Sequence, residues 1–168
     1  DDVLGVVALL RSIGWQADNP CDIRQAQDWI AQRYGALGDG RKVTKALRSC
    51  VDALLKAFPE SLAGKYGVGN AAATKDFRDN YRSLRLAQEL GELEKNWGLW
   101  QKLRGLRCSL RGSGLPEAYI SGAKAVVAAA DALVTHPGPL AHAQEHIDAL
   151  LGAGQEVLMH YAEAKRQA

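Results

Sequence analysis

RKVTKALRSCVDALLKAFP, residues Arg41 to Pro59, is the segment whose periodicity settles the fold class. Val43, Leu47, Val51, Leu54 and Phe58 recur three or four residues apart, which places them on one face of a 3.6-residue helix. Pro59 then ends the pattern, because proline has no amide hydrogen to continue the ladder. The first turns of this segment are basic and free of carboxylates, with Arg41, Lys42, Lys45 and Arg48.

The same period recurs on both sides, and no alternating strand pattern does. Toward the N-terminus, Val3 to Ile13 reads as a short apolar helix ended by Gly14. Asn19 and Pro20 supply a cap and a first helical position for a second, with Ile23, Ala26, Ile30 and Tyr34 on one face until Gly35. Toward the C-terminus, Asn70 caps a helix carrying Phe77, Tyr81 and Leu84. Its pattern runs on to Arg111, a length that predicts a break near one of the glycines at 91, 98, 105 and 112. Pro116 opens a further helix with Ile120, Ala123, Val127, Ala130 and Val134, ended at His136-Pro-Gly-Pro139. A last helix buries Leu140, Ile147, Leu151, Leu158 and Tyr161. The expectation is an all-α protein, a single domain of about six helices spanning 1–168, orthogonal or bundle-like. An opening on Asp1 in place of methionine reads as an excised domain or a processed product.

Charge is distributed unevenly. Residues 41 to 111 hold 15 Lys/Arg against 7 Asp/Glu, while residues 1 to 40 and 112 to 168 each hold 3 against 6, so a net +2 hides an acidic, basic, acidic layout. From Lys95 to Arg111 there are five cations, no carboxylate, and the two indoles Trp97 and Trp100. On a continuous helix Trp97, Trp100, Arg104, Arg107 and Arg111 share a face, apart from a seam of Leu99, Leu103, Leu106 and Leu110. Guanidinium groups pair with phosphates through two hydrogen bonds and indoles stack on bases, which suits nucleic acid. The alternative carries Leu93, Trp97 and Trp100 into the core, with a kink at Gly98 and the arginines as a solvated face. The heptad glycines likewise read as a groove for a backbone or phosphate, as close helix packing, or as loop positions at Gly105 and Gly112.

Catalytic patterns are weak. His142-Ala-Gln-Glu145-His146 matches the H-x-x-E-H zinc pattern, but both histidines sit at the solvent edge of the face set by Ile147, Leu151 and Leu158. His160 lies about 21 Å further along a straight helix, too far for a third ligand. Gly35-Ala-Leu-Gly-Asp-Gly40-Arg41-Lys42 approaches a phosphate loop, yet arginine stands at the lysine position and lysine at the hydroxyl position. Asp76 and Asp79, and Glu89, Glu92 and Glu94, lie among cations and read as surface ion pairs. Cys21, Cys50 and Cys108 form no CxxC pair and suit a reducing compartment. With 47% hydrophobic residues and no uncharged run near the roughly 20 residues of a membrane span, the chain reads as soluble, cytoplasmic and without a membrane partner. The expected function is a non-catalytic binding module without cofactor or metal. It contacts nucleic acid through Arg41, Lys42, Lys45, Arg48, Lys95, Trp97, Trp100, Lys102, Arg104, Arg107 and Arg111. The alternative is a protein-docking or scaffold domain of a larger assembly.

Overall fold

The computed structural model describes residues 2–12, 23–89, 93–109 and 114–167. The chain is all-α: among the described residues seven helices follow one another as α1 (Asp2–Ser12), α2 (Ile23–Tyr34), α3 (Gly40–Ala57), α4 (Ala71–Glu89), α5 (Trp97–Arg104), α6 (Glu117–Asp131) and α7 (Pro137–Gln167). Single 3₁₀ turns lie at Leu62–Gly64, Leu93–Lys95 and Ala132–Thr135, and there is no strand among the described residues. The helix beyond the expected six arises where the long pattern after Asn70 divides into α4 and α5. Among the described residues the interruption is the 3₁₀ turn Leu93–Lys95, after which Asn96 starts α5 by accepting the Leu99 amide on its Oδ1 at 3.0 Å; Gly91 and Glu92 lie outside the described residues. Packing groups the chain into two units, one of Asp1–Ala36 with Pro139–Ala168 and one of Leu37–Gly138.

The Leu37–Gly138 unit is built on α3. Asp39 caps this helix, its Oδ1 accepting from the amides of Arg41 and Lys42 at 3.0 and 3.2 Å. Thr44, Leu47, Val51, Leu54 and Leu55 form the buried face of α3, with Val43 and Phe58 half-buried at its margins. Asn70 caps α4 through the Ala73 amide at 3.1 Å, and Ala73, Phe77, Asn80, Leu84 and Ala87 face inward at alternating spacings of four and three. The inward face of α6 is Tyr119, Ala123, Val126 and Ala130, followed by Leu133; Val127 is half-buried and Val134 is 62% exposed. That face shares Ala123 and Ala130 with the expected one and is turned from it by about 60°, because Tyr119 and not Ile120 meets the core, edge-on to Phe58 at 5.5 Å. Glu117–Thr135 is long and apolar enough by length and composition to cross a membrane, and 28% of it is buried.

In the other unit, Gly154 of α7 is buried where α1 approaches: a Cβ placed there would stand 3.0 Å from Val6 and 3.5 Å from Leu10. Arg11 lies over the Tyr161 ring at 5.5 Å. Tyr161 is 55% exposed in place of the core position expected of it, because a ring that carries a guanidinium on its face keeps one side toward water. α7 begins at Pro137, three residues ahead of Leu140. Gly35 ends α2 with φ of 74°, a left-handed position that favours glycine. Ile13, Gly14, Asn19, Pro20, Cys21, Leu110, Arg111 and Gly112 lie outside the described residues.

The heptad glycines within the described residues have no packing role. A Cβ on Gly98 would meet nothing nearer than Asn96 Oδ1 at 3.8 Å, and one on Gly105, just past the end of α5, would meet only carbonyls of its own helix at 3.6 Å. Gly138 is different: a Cβ there would run into ring carbons Cη2 and Cζ2 of Trp97 and stand 3.0 Å from His136 Nδ1. Gly138→Ala should therefore lower stability by about 1–3 kcal/mol through overpacking. Gly98→Ala should be neutral or stabilise by less than about 1 kcal/mol, since alanine is the better helix former. Thermal melts of the two variants check this, and a Gly138→Ala protein as stable as the parent would contradict it.

Candidate nucleic-acid interface

α5 is eight residues long, and its buried arc is wide. Leu99, Leu103 and Trp100 fall within about 100° of one another on the helical projection, and all three are at most 2% exposed. Trp100 is fully enclosed, its indole Nε1 donating to the Leu93 carbonyl at 2.9 Å. Trp97, half-buried, stacks at a tilt on His136 with centroids 5.1 Å apart and on Trp100 at 6.4 Å. The expected stacking platform is therefore corrected. Trp100 presents no free face to a base, and Trp97 packs against His136 and Gly138. The indoles continue the leucine seam and do not stand apart from it, because a helix this short buries nearly half its circumference between α4 and α6.

The arginines also part company with the expected face. α5 stops at Arg104, so Arg107 lies in the loop beyond it and not a turn further along a helix. That segment is held by one buried amide: Asn80 of α4 donates through Nδ2 to the Arg107 carbonyl at 3.0 Å and accepts the Arg107 amide on Oδ1 at 3.4 Å. The same Nδ2 reaches Tyr119 Oη at 3.5 Å. Burial raises the Tyr119 phenol above its ordinary value, and the hydrogen bond from Asn80 opposes the rise. Thus anchored, Arg107 places Nη1 2.6 Å from Asp76 Oδ2.

Asp76 therefore takes its partner from across the fold and not from the cations beside it on α4. Lys75, Arg78 and Arg82 are left exposed within about 60° of one another on the outer side of that helix. With Lys102 of α5 they make no ion pair among the described residues. A cleft of about 580 Å³ lies here, lined by Asp76, Asp79, Asn80, Arg82, Ser83, Lys102, Gly105 and Arg107. A second, of about 520 Å³, runs from Gly69 and Asn70 past Thr74, Lys75 and Arg78, and the two meet at Asp79.

The remaining expected contacts are dispersed. Lys102 and Arg107 share the cleft; Arg41, Lys42, Lys45 and Arg48 do not line it. Lys42 approaches Asp39 at 4.0 Å, Arg48 approaches Glu94 at 3.7 Å, and Arg104 bonds Asp131 through Nε at 2.9 Å. Arg41, Lys45 and Lys95 are exposed. Lys75, Arg78 and Arg82 escaped the sequence reading because Asp76 and Asp79 lie between them and suggest local pairing. Asn80 did carry a signal, an amide three residues from Phe77 and four from Leu84 on the apolar face.

Comparison of the chain with protein-family models, curated sequences and solved structures finds no match. On α7, His142, Glu145 and His146 are exposed, and no group of three metal-ligating side chains forms among the described residues. Cys50 and Cys108 are free thiols, and burial pushes Cys108 up from its ordinary value against the opposing charge of Lys124.

His136 is the buried polar group with the largest structural consequence. Its Nδ1 accepts the Gly138 amide at 2.9 Å, which leaves the proton on Nε2, 3.2 Å from Thr44 Oγ1 and bonded by the Gly40 backbone. Burial holds the ring below the ordinary value of 6.5, with the Gly40 hydrogen bond and the Glu94 charge opposing. Between the depressed folded value and 6.5 the unfolded chain binds a proton that the folded chain refuses. This contribution to stability is complete above 6.5, falls as pH drops through that window, and levels off below the folded value. The melting temperature should fall as pH drops below about 6.5, and should fall less in His136→Gln. Equal pH dependence in both proteins would remove His136 as the cause.

Proposed function

We propose that the Leu37–Gly138 unit is a non-catalytic module that binds nucleic acid, holding the phosphate backbone against the outer side of α4 and the adjoining cleft. The observation that carries the reading is the set of exposed cations Lys75, Arg78, Arg82 and Lys102, which have no carboxylate partner among the described residues. The charge of the whole unit supports it. Leu37–Gly138 contains 16 Lys/Arg and 10 Asp/Glu, a surplus of +6, whereas the rest of the chain has 5 against 9, or −4. Cations already paired in the free protein gain less from a phosphate than unpaired ones, which ranks Arg82 and Lys102 above Arg48 and Arg104.

About four phosphate contacts correspond to a log–log salt slope near −3.6, or roughly a hundredfold loss of affinity between 50 and 200 mM salt. Arg82→Glu with Lys102→Glu should weaken binding by at least about tenfold and make the slope shallower by about 2. Lys165→Glu with Arg166→Glu, exposed in the last turn of α7, changes net charge equally and should alter affinity by less than about twofold. Fluorescence anisotropy on labelled oligonucleotides at several salt concentrations is the measurement, with circular dichroism to show that both variants are helical. Equal losses in the two double variants, or no binding by the parent at low salt, would sink the proposal. Docking of a protein is the second reading, favoured by Leu4, Leu9, Val157 and Met159, exposed on α1 and α7.

A further inference from the structure

We infer that this surface recognises the charge density of a nucleic-acid backbone and not its bases, so that it favours duplex over single strand and is indifferent to base composition. The inference rests on the nucleic-acid reading above and goes beyond it in naming the form of the ligand.

Single-stranded sites gain much of their affinity from aromatic side chains on which bases stack, at about 1–3 kcal/mol per base. None of the residues lining either cleft is aromatic. The two indoles nearest in sequence to Lys102 are committed elsewhere, Trp100 wholly enclosed with its Nε1 bonded to Leu93, and Trp97 packed on His136. Base edges are read by side-chain amides and unpaired guanidinium forks. Of the two amides at the clefts, Asn80 is buried with both ends bonded to the Arg107 backbone, and Asn70 has its Oδ1 on the Ala73 amide, so neither offers both ends to a base; the Arg107 guanidinium is held by Asp76. What faces a ligand is Lys75, Arg78, Arg82, Lys102 and the Ser83 hydroxyl, all groups that suit phosphate oxygens; the unpaired forks of Arg78 and Arg82 are the two groups here that also match a guanine edge, which is what the G·C-rich competitor tests. A duplex presents one charge per roughly 1.7 Å of axis, about twice the density of either strand alone, so a site without stacking partners gains most from the duplex. Asp79, exposed where the clefts meet, opposes a phosphate equally for every sequence.

The test is competition by anisotropy at low salt. A labelled mixed-sequence duplex is displaced by A·T-rich duplex, G·C-rich duplex and mixed-sequence single strand of equal length, using the parent chain and Asp79→Asn. The two duplexes should compete within about twofold of each other, and the single strand at least about fivefold more weakly. Asp79→Asn should tighten binding to all three ligands by a similar factor of a few. A single strand that competes as well as duplex, a composition preference beyond about tenfold, or tightening of one ligand alone would overturn the inference while leaving nucleic-acid binding in place. Failure of the parent chain to bind the labelled duplex and a labelled single strand alike would overturn both.

Discussion

The enclosure of Trp100 is the constraint on which the Leu37–Gly138 unit turns. Its ring is the largest fully buried side chain among the described residues, and its one polar atom is satisfied by the Leu93 carbonyl, so it occupies the core without an unpaired donor. With Trp100 inward, the orientation of an eight-residue helix is decided. Leu99 and Leu103 follow it into the core, Lys102 points out, and Arg104 is left at the margin, where it meets Asp131. Trp97 is then turned onto His136, and the room it needs at the start of α7 requires glycine at Gly138.

A second constraint acts on charge. Asn80 fixes the segment after α5 to α4 through both faces of the Arg107 peptide, and the resulting ion pair between Arg107 and Asp76 joins residues 31 positions apart. One carboxylate is thereby withdrawn from the local ladder on α4, and its neighbouring cations become available to solvent. The candidate interface thus depends on a buried amide that touches no ligand. The basic surplus expected between residues 41 and 111 coincides closely with one packed unit, and the acidic flanks fall largely in the other.

Much of the fold was legible because helices are local. The period of Val43, Leu47, Val51 and Leu54, the cap at Asn70, the stop at Gly35 and the leucine seam at Leu99 and Leu103 depend on neighbours within four residues, and each stands in the structure where it was read. The candidate site was legible only in outline. A basic centre could be counted, but Lys75, Arg78 and Arg82 looked paired, and Trp100 read both as a stacking ring and as a core residue.

The sequence by itself determined the all-α class, the cap at Asn70 and the charge of the central segment, since propensity, spacing and composition act over one or two turns. Only the tertiary structure decided that α5 ends at Arg104, that Tyr119 and not Ile120 meets the core, that Trp100 is enclosed, and which carboxylate takes which cation. Those outcomes rest on contacts between residues tens of positions apart. Their energies depend on how closely helices pack, which no local period encodes.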